Sequence, residues 1–320
     1  MPEFKFPKIF AVSLFFVFAF ILCGCAVADE AAKIVVMDPM LSQWVLAIKC
    51  VSGVNDLLIT EVGKSDYMSA IFPGLKDNIM RKKIDNTESL LLLNPKIVFV
   101  KKYSEHENSD FKKSGLKIVS VEFEKLDDIL NGVKTIGESL QFETRAVTLI
   151  EHYKKAIDEV NESVAKIVKT ARPRVYFANS NIYNSFGAGM FQNFLIETAG
   201  GISVTSNASG SKIQTSVEEL IKWDPEIIVT ASYCSDTPDL IIKNDKLKDL
   251  NAVKNKKIFV MPHYVTSWDM PVPESLPGIM WLASKFNPGL NTGLNDRIKE
   301  FYKIFYNIKI DDAEIEKIMK

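Results

Sequence analysis

Histidine is scarce in this sequence. His106, His152 and His263 are the three among 320 residues. A metal centre is built from convergent histidine, cysteine or carboxylate ligands. Three scattered histidines with no paired metal spacing offer little to one. Charge of one sign is lacking too. The formal net charge is −1, so no broad basic field attracts nucleic acid. Low-complexity tracts, a mark of disorder, are missing. Cysteine is limited to four residues, and Cys23 and Cys25 lie near the N-terminus. Cys50 and Cys234 are left for the body of the chain, where a disulfide and two ordinary buried thiols are both open. Their spacing does not suggest a zinc site. Long apolar runs are absent except for one, IFAVSLFFVFAFIL from Ile9 to Leu22. The whole, 47% apolar and 25% charged, has the balance of a soluble globular chain with a full core.

The one apolar run carries its own message. Lys5 and Lys8 precede it, and a short basic region before an apolar stretch reads as a secretory signal. Three outcomes are open. Leu22-Cys23-Gly24-Cys25 resembles a bacterial lipoprotein box, which would place a lipid on Cys25. Ala26-Val27-Ala28 before Asp29 fits ordinary signal cleavage. An uncleaved anchor is the third, although the run is short for a span. All three export the body of the protein, so residues 1–28 are assigned as leader.

The body alternates strands and helices. KIVVM (33–37), DLLITEV (56–62), the IVFV of 97–100 and KIVSV (117–121) read as strands, with helices at 41–50 and 126–140. ETRAVTLIEHYKKAIDEVNESVAKIVKT (143–170) has neither Gly nor Pro, and its apolar residues recur at three- and four-residue steps. The spacing predicts one amphipathic helix of about seven turns, stopped by Pro173. A second series starts at RVYFANS (174–180) and runs through helices at 191–198, 274–286 and 294–306. The expected architecture is α/β. Two lobes with mainly parallel sheets, at 33–142 and 173–320, are joined by a long helix at 143–172.

One unit occurs twice. ESLLLLNPKIVFV (Glu88–Val100) aligns with EELIKWDPEIIVT (Glu218–Thr230). Leu90 meets Leu220, Asn94-Pro95 meets Asp224-Pro225, and a Glu stands seven residues before each Pro.

With the exported N-terminus, the long helix ending at RPRVYF, FGAGMFQNFLIETAGG (Phe186–Gly201) and PESLPGIMWLASKFNP, these motifs carry a resemblance over nearly all of the mature chain. It resembles the solute-binding proteins of bacterial ABC transporters that deliver iron chelates, haem and vitamin B12. The resemblance implies a two-lobed, non-enzymatic, monomeric binding protein. It would be periplasmic or lipid-anchored to the cell envelope, would hold its ligand in the cleft between the lobes and would need no intrinsic cofactor. It also implies that Glu88 and Glu218, one per lobe, dock onto arginines of the membrane permease. A carboxylate in the first turn of a helix suits the helix dipole and can take Arg through two parallel hydrogen bonds. The competing reading is that each Glu only caps its helix. At the second copy Ser216 and Glu219 already form an S-x-x-E capping box, which leaves Glu218 free.

Other motifs are weaker. Gly187-x-Gly189 lacks the third glycine of a dinucleotide fingerprint, since Gln192 occupies that place. Its glycines more simply allow a tight turn and let Tyr183, Phe186 or Met190 face the cleft. HYVTSWD (263–269) puts His, Ser and Asp together, but a triad converges from separate elements. It is read as a cleft-wall loop carrying His263, Tyr264 and Trp268, with His263 a candidate metal ligand or hydrogen-bonding group. His106, in a polar loop after a strand, is a second metal candidate. Trp44 belongs either to the core or to the cleft.

Arginine is sparse: Arg81, Arg145, Arg172, Arg174 and Arg297 make the full set, mostly on or beside the linking and final helices. Aromatics populate the expected cleft loops instead: Tyr67, Phe72, Tyr103, Phe186, Tyr233, Tyr264 and Trp268. Lys64, Lys101 and Lys102 are the nearby positive charges. Aromatic walls with few fixed charges suit a large, weakly charged or planar complex. The expected cargo is therefore a metal-containing complex, with a corrinoid, haem, nickel chelate or small iron chelate favoured over a strongly anionic siderophore. The alternative is an exported metal-site enzyme or cofactor-maturation protein on a related two-lobed fold. An exported structural or adhesion module ranks below both.

Overall fold

The computed structural model describes residues 34–60, 72, 75, 79–80, 87–102, 113–290 and 293–319. Strand β1 (Ile34–Val36) is wholly buried and leads into helix α1 (Pro39–Lys49). Asp38 starts that helix. Its carboxylate accepts from the Met40 and Leu41 amides at 2.9 and 2.8 Å, and Pro39 takes the first helical position. Strands β2 (Leu57–Thr60), β3 (Ile79–Met80), β4 (Ile97–Lys101) and β5 (Ile118–Val121) complete the first sheet. Its order is β3-β2-β1-β4-β5, parallel throughout.

The second sheet has the order β11-β10-β6-β7-β9, with β8 beside β6. Strands β6 (Arg174–Ala178), β8 (Ile202–Ser203), β10 (Ile227–Thr230) and β11 (Ile258–Val260) are parallel. Strand β7 (Asn184–Phe186) runs antiparallel to both β6 and β9 (Lys212–Gln214), a feature the alternation of elements did not announce.

The repeated unit is repeated in three dimensions. Helix α2 (Thr87–Leu92) precedes β4, which pairs with β1. After α3 (Leu126–Leu140), α4 (Glu143–Ala165) and α5 (Phe191–Thr198), helix α6 (Val217–Trp223) precedes β10, which pairs with β6. Leu90 and Leu220 are fully buried. Asn94 and Asp224 both take the left-handed conformation, at φ 43° and 40°. Asn and Asp tolerate that region better than most residues, and the Pro after each ends any helical continuation.

Helix α4 is shorter than the spacing predicts. It ends at Ala165 rather than Thr170, and a 3-10 turn (Lys169–Ala171) fills the interval before Pro173. Short helices α7 (Pro238–Ile242) and α8 (Asn251–Lys254) flank the second sheet. Helix α9 (Ser275–Phe286) crosses α4 and α5. Helix α10 (Leu294–Tyr306) then returns to pack on α1, and α11 (Asp312–Ile318), which the sequence reading did not include, packs on α10.

Arg145 of α4 fastens this return. Its guanidinium donates to the Ala47 carbonyl at 3.0 Å and to the Ile304 and Phe305 carbonyls at 2.5 and 3.2 Å. It thereby caps the C-terminal ends of α1 and α10 together, where carbonyls lack helical partners and the dipoles favour a cation. Beside it, the Cys50 thiol donates to the Phe305 carbonyl at 3.4 Å and is pushed up by burial, with Arg145 opposing that shift. Cys50 and Cys234 are both free thiols. Replacing Arg145 by Met leaves these carbonyls without their cation. It is expected to lower unfolding free energy by about 3 kcal/mol. Urea denaturation of the variant checks this, and a loss within error of zero would remove the clamp from the account.

Candidate functional site

A cavity of about 850 Å³ lies where the carboxyl ends of the two sheets face each other. Ligands of open α/β sheets collect at such ends. From the first lobe come Met40, at the start of α1, Lys101, ending β4, and Phe123 and Glu124, just after β5. From the second come Asn179 and Ser180 after β6, Phe186 ending β7, Met190 and Phe191 at the start of α5, and Tyr233 beyond β10. Met270 and Pro271 close the floor from one loop, and β9 contributes Lys212, Ile213 and Gln214.

Local chemistry sets these positions. Gly187 permits a close backbone approach: a Cβ there would sit 1.9 Å from the Gly210 carbonyl oxygen. Gly189 adopts φ +77°, which most residues resist. The turn they build delivers Phe186 and Met190 to the wall. Behind it, Asn193 donates to the Gly187 carbonyl at 2.7 Å and accepts from Ser203 at 2.6 Å.

The wall is nearly neutral. Lys101 is paired with Glu124 at 3.0 Å, and Lys212 is solvent-exposed. Three arginines are occupied elsewhere: Arg145 in the helix clamp, Arg297 with Glu159, and Arg174 on the Asp224 carbonyl at 2.8 Å. Three methionines and three phenylalanines are among the seventeen residues that line the cavity. Tyr233 is half-exposed at the mouth, and its phenol is pushed up by partial burial and by the nearby Asp269.

Of the expected cleft residues, Phe186, Met190 and Tyr233 line this cavity, as does Lys101. The other candidates among the described residues do not. Trp44 is core: its ring stacks on Phe123 and meets Tyr153 and Phe305 edge-on. Its indole N–H donates to the Pro271 carbonyl at 3.1 Å. Phe72 is buried against Tyr306, and Trp268 has no exposed surface. Tyr264 is buried edge-on against Tyr302. His263 is exposed, and with Tyr264 it borders a separate recess of about 160 Å³ beside α11. The hairpin closed by the His263–Ser267 bridge turns this segment away from the cavity. Tyr183 packs beneath the second sheet, with its hydroxyl accepting from Asn244 at 3.2 Å. Tyr67, Tyr103, His106 and Cys25 lie outside the described residues. Among the described residues, no group of three or more His, Cys, Asp or Glu side chains is placed to hold a metal ion.

The residues missed by sequence reasoning had a signal. Phe123, Glu124, Asn179 and Ser180 directly follow the parallel strands β5 and β6, the place where α/β sheets bind. Met40 and Met270 had no comparable mark.

Apart from Met270 and Pro271, the segment 263–275 joins elements rather than lining the cleft. Glu274 is completely buried and accepts from the Val265 and Thr266 amides at 3.1 and 2.5 Å and from the Tyr302 hydroxyl. Ser275 shares a 2.6 Å hydrogen bond with Tyr153 of α4. Gln192, in the cavity wall, donates to the Asp269 carbonyl at 3.0 Å. The Asp269 carboxyl, also fully buried, accepts from Ser267 and is pushed up by burial.

At the lobe tips, Glu88 and Glu218 both occupy first helical turns and are exposed. The expected capping box is present at the second copy. Glu219 accepts from the Ser216 amide at 2.8 Å and Ser216 accepts from the Glu219 amide at 3.1 Å.

A family model described as periplasmic binding protein matches residues 36–265, a span that takes in the second sheet, the first sheet from the end of β1 onward, and the cavity lining except Met270 and Pro271. The chain belongs to that family. As a periplasmic binding protein it is the exported solute-binding component of an ABC transporter. The molybdate-binding protein MolA of Haemophilus influenzae is 25% identical over 76% of this chain and 75% of its own. Its molybdate-bound structure superposes with a TM-score of 0.74 at 21% identity, covering 88% of this chain and 95% of that one. YvrC of Bacillus subtilis, an ABC transporter substrate-binding lipoprotein, is 24% identical over 82% of each chain. Helicobacter pylori CeuE with bound Ni(II) shares the fold with a TM-score of 0.73 at 18% identity, covering 91% and 95%.

Burial raises the Glu274 carboxyl of this binding protein from 4.5 to about 7, against its hydrogen bonds from Tyr302, Thr266 and Val265. A raised native value means that the protonated form favours the fold. The stabilisation is complete below pH 4.5 and is lost as pH rises through about 7. Across that window the group should account for about 3 kcal/mol of declining stability. Denaturation midpoints of wild type and Glu274→Gln, followed from pH 4 to 8, should differ in slope there. Parallel curves would mean that the native carboxyl titrates at its ordinary value.

Proposed function

We propose that this binding protein captures a large, weakly charged metal-containing complex in its inter-lobe cavity and delivers it to a membrane permease through both lobe tips. The cavity carries the proposal. Its volume exceeds what a small tetrahedral oxyanion fills, and its walls are mainly phenylalanine, methionine and neutral polar groups. Thioether side chains adapt to irregular apolar ligands, and aromatic faces suit planar ones. The pairing of Lys101 with Glu124 leaves little fixed positive charge for a multiply charged anion. A corrinoid, haem, nickel chelate or small iron chelate fits this chemistry better than a strongly anionic siderophore. That relatives of the same fold bind molybdate and nickel supports metal-containing cargo as a class.

Delivery rests on Glu88 and Glu218. They stand at equivalent places of the repeated unit, one per lobe, with Glu219 rather than Glu218 serving as the cap. Exposed carboxylates so paired suit recognition by arginines of the permease. Cys25 is proposed to carry a lipid, from the Leu22-Cys23-Gly24-Cys25 box and the lipoprotein relative. Mass spectrometry of the membrane-extracted protein should find a diacylglyceryl adduct there, and an unmodified N-terminus at Asp29 would refute it.

The processed protein should be titrated calorimetrically with haem, cobalamin, a ferric siderophore, a nickel–histidine complex and molybdate. Tight binding of one of the first two or the nickel complex is expected, weakened about tenfold by Tyr233→Ala. Tight binding of molybdate alone would overturn the cargo class. Charge reversal at both Glu88 and Glu218 should abolish uptake of that cargo while leaving its affinity unchanged, and intact uptake would refute docking.

A further inference from the structure

The repeated unit matches in more than its carboxylates. Three residues after Glu88 stands Leu91, and three after Glu218 stands Ile221, so each lies one turn along the same helix face as its Glu. Leu91 is 44% exposed and Ile221 is 51% exposed. The residue before each, Leu90 or Leu220, is fully buried and pins the helix to its sheet. The two helices therefore present the same pair, an exposed carboxylate and an exposed branched aliphatic, from corresponding places on two lobes. A lone surface aliphatic needs no explanation. The same one at the same register in two copies, whose other exposed positions differ, is harder to assign to chance: Ser89 stands opposite Glu219, and Leu92 opposite Lys222.

We infer that Leu91 and Ile221 are contact residues for the ABC permease, each filling an apolar socket beside the cation that takes Glu88 or Glu218. This rests on the docking reading above and extends it. Carboxylates on the rim of an interface chiefly steer and orient, while desolvated apolar groups slow dissociation. A surface of Glu and Leu or Ile needs a partner with a cation and an apolar recess side by side, and two such places to match two lobes. Because both aliphatics are about half exposed and Leu90 and Leu220 do the anchoring, replacing them should leave the fold intact.

The test uses the processed full chain, without cargo, against the cognate permease–ATPase complex in lipid nanodiscs, with binding read by biolayer interferometry. Three variants are compared: Glu88→Gln with Glu218→Gln, Leu91→Ser with Ile221→Ser, and the conservative Leu91→Ile with Ile221→Leu. The serine pair should bind about tenfold more weakly, mainly through faster dissociation, and the conservative pair should bind as wild type. Binding by the serine pair at wild-type strength, with the glutamine pair impaired, would overturn this inference and leave carboxylate docking standing. Wild-type binding by both pairs would overturn both. Circular dichroism melts of each variant separate a lost contact from a lost fold.

Discussion

The Glu274 carboxylate, buried without exposed surface, organises the segment through which the lobes are joined. It gathers the amides of Val265 and Thr266 and the Tyr302 hydroxyl. A buried carboxylate is costly unless its oxygens are satisfied, so the strand-end loop and α10 are held where they satisfy them. Neighbouring residues of that loop bind α1 through Trp44, α4 through Tyr153 and the cavity wall through Gln192. One segment of about a dozen residues thus ties together the first helix, the linking helix, the last long helix and the ligand wall. Arg145 repeats the tie from the far side of α1 and α10.

The cavity inherits its shape from this arrangement. Its two halves are the carboxyl edges of two sheets, and the floor residues Met270 and Pro271 belong to the tying segment. Trp44 holds Pro271 from the first lobe, so any change in lobe separation must break or stretch that bond. The long helix α4, packed on α3 and α9, resists bending for a similar reason, because its backbone hydrogen bonds would be lost. These ties oppose a wide swing of the lobes.

Much of this could be read from residues alone. The two-lobed α/β plan followed from alternating strands and helices, and helices 126–140, 191–198 and 294–306 have the expected ends. The repeated Glu-to-Pro unit was legible because a left-handed Asn or Asp before Pro is a strong local signal. The end of α4 was not, since Val164 and Ile167 keep the helical spacing across a break that tertiary packing sets. The cleft was only partly legible. Phe186, Met190 and Tyr233 follow strand ends or glycine turns and could be placed. HYVTSWD also follows a strand and is rich in aromatics, yet its rings turn inward to serve Glu274 and the core. Sequence marks which residues are large and near a strand end, but a hairpin such as His263–Ser267 decides which way they face.

The return of α10 to α1 sets an order on assembly. Cys50 and Phe305 touch across 255 residues of chain, and α1 finds one of its packing partners only when nearly everything else has been made. A protein exported in an extended form from its N-terminus delivers α1 first and α10 late. Until then the first lobe must stand with an apolar face uncovered on the far side of the membrane. Completion of that lobe is therefore coupled to release of the chain from the export machinery, and a stalled or clipped polypeptide would carry its own mark, a sticky surface that quality-control proteases of the cell envelope can recognise.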